Sequence, residues 1–195
     1  RSEGTRPMSG ALDEAALRRH MSQLAGKNAD SDRYASFLGA GLYDHQVPVV
    51  INHMISRSEF YTAYTPYQPE VSQGELQAIF EFQSYICELT GMEVANASMY
   101  DGATAMAEAA SLASGATKRK KIVISSTVHP ETRAVVRTYA YGLGIEVVEV
   151  GFEGGVTDLS KLEALIDGDT AAVLVQSPNF FGAVENVKVI GDLVH

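Results

Sequence analysis

The chain has no tryptophan, one cysteine and no apolar run approaching the roughly 20 residues of a membrane-spanning helix. The lone Cys87 excludes an internal disulfide and suits a reducing compartment, the cytoplasm. It falls in the apolar helical pattern LQAIFEFQSYICEL, where a small buried hydrophobe is the expected role. Positive charge is scarce: 15 Lys and Arg face 24 Asp and Glu, giving a net charge of −9. That balance argues against nucleic acid or an anionic membrane as a partner. The basic run TKRKK at 117–121 lies between a helix-like and a strand-like segment and reads as a solvated connector.

Familiar signatures are missing as well. There is no G-x-G-x-x-G after a strand, no G-x-x-x-x-G-K-[ST] and no G-x-S-x-G, which weakens dinucleotide, nucleoside-triphosphate and serine-hydrolase readings. His45 and His53 lie eight apart without acidic or cysteine company, so no metal site is expected. The opening RSEGTRPMSG has no signal-peptide core, and VKVIGDLVH at the other end lacks a glycine or proline stop. The expectation is a piece of a longer polypeptide.

Residues 11–27 place Leu12, Ala16, Leu17, Met21, Leu24 and Ala25 on one helical stripe. A glycine-rich turn follows, then PVVINHMIS, with Pro48 at a good first helical position. Ser72 with Glu75 three residues on has the form of a capping box, opening a helix that Gly91 can end. Beyond Gly91 the texture changes. EVANAS, KIVIS, IEVVEV and TAAVLVQSP read as strands, separated by ATAMAEAASLAS, PETRAVVRTYAYGLG and DLSKLEALID as helices. Short Val- and Ile-rich strands alternating with helices predict an α/β fold with a mainly parallel sheet covered on both faces. We therefore expect a helical N-terminal region over 1–91 and the first part of an α/β domain over 92–195.

In such sheets the ligand crevice lies at the carboxyl ends of the strands. Three segments fall there: SMYDGATA, SSTVHPET and SPNFFG. The first has the form of a phosphate cup at a helix start, although Asp101 sits where the anion belongs and its carboxylate could cap the helix instead. His129 could stack on a planar ligand or simply cap a helix. Asn179 could address a ring edge or simply form a turn with Pro178.

A denser block precedes these. YTAYTPYQPEVSQG at 61–74 gathers Tyr61, Tyr64 and Tyr67 within seven residues, stiffened by Pro66 and Pro69. Together with SFLGAGLYDHQVPVVI, TGMEVANASMYDGATAMAEAA and VQSPNFFG, it closely resembles the decarboxylating glycine dehydrogenase (P-protein) family of the glycine cleavage system. Within that family the chain resembles the N-terminal-half subunit of the two-subunit bacterial form, from about Leu12 to the last residue.

The resemblance implies the aspartate-aminotransferase-type fold (fold type I) of pyridoxal-phosphate enzymes. The reaction it implies is decarboxylation of glycine, with aminomethyl transfer to the lipoyl group of H-protein. In that family the cofactor serves as the electron sink, covalently held by a lysine of the partner subunit in a heterotetramer. None of Lys27, Lys118, Lys120, Lys121, Lys161 and Lys188 follows a strand at a crevice mouth, and most read as turn or polar-face residues, so no catalytic group is assigned to this chain. The resemblance places Tyr64, Thr65, Tyr67 and Gln68 at the glycine pocket across the subunit interface. It makes Ser98, Asp101, Thr104, His129 and Asn179 remnants of a degenerate cofactor half-site. A purely structural scaffold subunit, and an unrelated α/β enzyme with its own cofactor, are the alternatives.

Overall fold

The computed structural model describes residues 10–41, 43–61 and 65–195. The chain forms two compact units, Arg1–Val47 and Pro48–His195. The first holds α1 (Glu14–Ala25), whose start is fixed by Asp13: its carboxylate accepts the Ala16 N–H at 2.7 Å. The expected apolar stripe is present, with Leu17, Met21 and Leu24 on the surface of this unit.

The second unit begins with α2 (Val49–Ile55), α3 (Ser58–Tyr61) and α4 (Gln73–Thr90). Pro48 stands one residue before α2, as its N-cap. Gly91 ends α4 at φ 72°, a left-handed conformation that costs glycine little. The capping box at Ser72 does not form. Ser72 caps α4 without a side-chain bond, and Glu75 Oε2 is buried without a partner.

The remaining elements are α5 (Gly102–Thr117), β1 (Lys121–Ser125), α6 (Pro130–Leu143), β2 (Glu146–Val150), β3 (Phe152–Glu153), β4 (Val156–Thr157), α7 (Leu159–Leu165), β5 (Thr170–Leu174) and α8 (Val187–Val194). The sheet order is β2-β1-β5, all parallel, with Val123 opposite both Val148 and Val173. EVANAS is not a strand. The Ala95 carbonyl accepts the side-chain amide of Gln83 on α4 at 2.9 Å, so this segment lies along a helix instead of a sheet edge. A β3–β4 hairpin, unforeseen from the sequence, fills the connection after β2. Gly154 and Gly155 at its turn have φ 58° and 85°, the two positive values that a tight hairpin requires.

Alternation along β1 explains the layers. Ile122 and Ile124 face α5 and α6, packing with Ala107, Ala110, Val136 and Ala140. Val123 points the other way, with Val150, toward Leu162 of α7 and Ile190 of α8. Small alanines on α5 let that helix approach the sheet closely. The result is a helix–sheet–helix sandwich whose crevice loops, 126–129, 151–158 and 175–186, all leave the same strand ends.

Candidate functional site

The cup at the start of α5 is built around Asp101. Its backbone is extended, and its Oδ1 accepts the Thr104 N–H at 2.7 Å. The Thr104 side chain reciprocates, its hydroxyl accepting the Asp101 N–H at 3.1 Å. This closed box uses a helical N–H that an anion would otherwise bind. The Thr104 N–H and then its hydroxyl hold the Asp101 carboxyl below the ordinary range, so the box carries a negative charge. Ser98 lies just upstream, exposed, with φ 63°. Ser98, Asp101 and Ala105 line one side of a hollow of about 420 Å³ whose other wall includes Phe82 and Ile86 of α4.

A second cluster joins all three crevice loops. Its centre is Glu185, 4% exposed. The carboxylate accepts the Thr127 hydroxyl at 2.8 Å, the Thr157 N–H at 3.0 Å and the Asn179 amide at 2.8 Å. Ser125 lies 2.8 Å from both the Thr127 and Thr157 hydroxyls. Burial pushes the Glu185 carboxyl up, but the bonds from Asn179, Thr157 and Thr127 outweigh it, and the net direction is below the usual range.

Asn179 is fully engaged in this cluster. Its amide donates to Glu185 and to the Gly155 carbonyl, while its oxygen accepts the Phe181 and Ala183 N–H groups. An amide offers two donors and two acceptor sites, so none is left to address a ligand. The turn reading of Asn179 is the one the geometry favours. Glu185 itself escaped the sequence reading; an acidic residue six positions after a turn asparagine gives no sign of burial.

His129 caps α6, its Nδ1 accepting the Glu131 N–H at 3.2 Å. Its backbone N–H donates to Gln176, and its ring meets Phe180 edge-on at 5.1 Å. Phe180, Phe181 and Phe152 continue this aromatic row. Of the loop ahead of α4, Thr65, Tyr67 and Gln68 are exposed, Tyr67 by 79%. Tyr64 lies outside the described residues.

Four of the six lysines are placed away from the crevice or held in an ion pair, and Lys188 is an exposed residue of the first turn of α8. Lys120 and Lys121 stand at the amino ends of the strands, the end opposite the crevice, donating to the Leu143 and Leu165 carbonyls. Lys118 ends α5. Lys161 comes near the carboxyl end of β2 at Gly151, where Asp158 holds its ammonium at 2.8 Å. With the Thr104 N–H capped by Asp101 and the Asn179 amide engaged, the residues of these two clusters do not fit covalently held pyridoxal phosphate.

Residues 1–195 match the family model described as glycine cleavage system P-protein. The chain is 60% identical to the probable glycine dehydrogenase (decarboxylating) subunit 1 of Lysinibacillus sphaericus over all of its own length and 44% of that protein. It thus spans less than half of the curated relatives it matches. A crystal structure of glycine decarboxylase (P-protein) in inhibitor-bound form shares 45% identity and a TM-score of 0.85, over 95% of this chain and 41% of that one. A NifS-like protein matches at 17% identity and a TM-score of 0.58, over 77% of this chain and 43% of that one, a likeness of fold.

Proposed function

This chain belongs to the glycine cleavage system P-protein family, and from that premise we propose that it is the cofactor-free half of a glycine decarboxylase. Its α/β unit has the fold-type-I architecture of pyridoxal-phosphate-dependent transferases. The observation that supports the reading is that the fold is that of a cofactor enzyme, yet Asp101 caps the start of α5 and Glu185, in the crevice, engages the Asn179 amide. A half in that condition serves catalysis through what it lends to a partner. The partner is a lysine-bearing second subunit that holds pyridoxal phosphate. Glycine and the lipoyl group of H-protein are the reactants, and the lone thiol suits a cytoplasmic setting.

The loop ahead of α4 is this chain's contribution. Tyr67 and Gln68 are exposed, and Pro66 and Pro69 restrict the backbone that carries them. A hydroxyl and an amide on a stiff loop can hold a small carboxylate with little ordering loss on binding. Tyr64, in the same run of sequence, would act with them. Gln68→Ala in the complete two-subunit enzyme is expected to lower the rate of glycine-dependent bicarbonate exchange at least about tenfold, the effect of losing one good hydrogen bond to a charged group. The two subunits should still co-elute. Unchanged exchange would remove the loop from the active site and leave the scaffold reading, which the inward-turned Glu185 cluster also suits.

A further inference from the structure

The β3–β4 hairpin is held in place by groups outside it, and we propose that residues 151–158 form a strap at the strand ends, latched by Glu185 and Asn179 and able to open as a unit. Its two strands are two residues each, pairing Phe152 with Thr157 and Glu153 with Val156. A two-stranded hairpin of that length is not stable in water by itself. None of residues 151–158 joins either buried hydrophobic cluster, so apolar packing does not fix it either. Thr157 is nonetheless only 4% exposed.

The latch is made of side chains. Glu185 accepts the Thr157 N–H at 3.0 Å, the Asn179 amide donates to the Gly155 carbonyl at 2.8 Å, and Ser125 lies 2.8 Å from the Thr157 hydroxyl. Phe152 adds a ring contact to Phe181 at 4.9 Å. The other two crevice loops are joined differently: the Phe180 N–H donates to the Thr127 carbonyl at 2.9 Å, a backbone bond that needs neither Glu185 nor the hairpin. Opening therefore separates the hairpin from a pair of loops that stay tied. It also returns one proton of the Asn179 amide to the crevice, which gives that crevice a second state with a donor on offer.

The test is hydrogen exchange of the full-length protein, resolved to single amides, in increasing sub-denaturing urea. A local opening exposes little surface and responds weakly to urea, whereas global unfolding follows it steeply. In the wild type the Thr157 and Asp158 N–H groups should exchange with almost no urea slope, and Val123 in β1 with the slope of the whole fold. Glu185→Gln puts an NH2 where the hairpin needs an acceptor, and should speed Thr157 exchange at least about tenfold while its urea slope stays flat. Thr157→Val, which keeps the N–H and loses only the bond to Ser125, covers the case in which Glu185→Gln does not fold. It should speed exchange of the Asp158 N–H, bonded to the Gly151 carbonyl at 3.1 Å, about fivefold. A wild-type Thr157 slope equal to that of Val123 would overturn the strap, because the hairpin would then open only with the whole fold. Unchanged exchange in the folded variants would overturn the latch.

Discussion

Glu185 holds a negative charge in the interior by surrounding it with donors. A hydroxyl, a backbone N–H and a side-chain amide reach its carboxylate, one from each of three crevice loops. Such an arrangement stabilises the fold only while the group is ionised. Because its folded-state pKa lies below its unfolded value, the contribution is full above the unfolded value of about 4.3 and disappears as pH falls through the lower folded one. Urea unfolding of the full-length protein followed from pH 7 to pH 3 should show a falling midpoint. Glu185→Gln should lower the midpoint at pH 7 by about 2–4 kcal/mol of stability and flatten the acid limb, since its NH2 faces donors it cannot accept. A variant matching the wild type at pH 7 would contradict the role given to Glu185.

At the scale of elements, the ends of helices are where sequence and structure meet most directly. Gly144 follows α6 at φ 61°, and a Cβ added there would meet nothing within 4 Å. Any loss from Gly144→Ala is therefore backbone strain alone, expected to be about 1 kcal/mol and read as a lower thermal midpoint. An unchanged midpoint would mean that α6 can end without the left-handed residue. Gly91 and the KIVIS strand were legible because each encodes its geometry locally. EVANAS was misread because a strand needs a neighbour, and Gln83, twelve residues upstream, had taken Ala95. The Ser72 box failed for a related reason: spacing permits a reciprocal bond but does not compel it. Gly154-Gly155 did carry a hairpin signal, passed over because the flanking strands are only two residues each. Of the expected site residues, Asp101 announced its capping alternative in sequence. The saturation of Asn179 depended on Glu185 and Gly155 arriving from other loops, which no local pattern records.

For the whole molecule, the central claim is division of labour. On the proposed reading, this chain, with the Asn179 amide engaged internally, works beside a second subunit that holds the cofactor. The chain spans 44% of the length of its relative in Lysinibacillus sphaericus, so the claim is tested on the full-length protein. The measurement is glycine-dependent exchange of labelled bicarbonate by that protein alone, and then mixed with the lysine-bearing subunit, pyridoxal phosphate and H-protein. The account predicts exchange only in the mixture. Exchange by the protein alone would contradict it, because it would place a working cofactor anchor on this subunit.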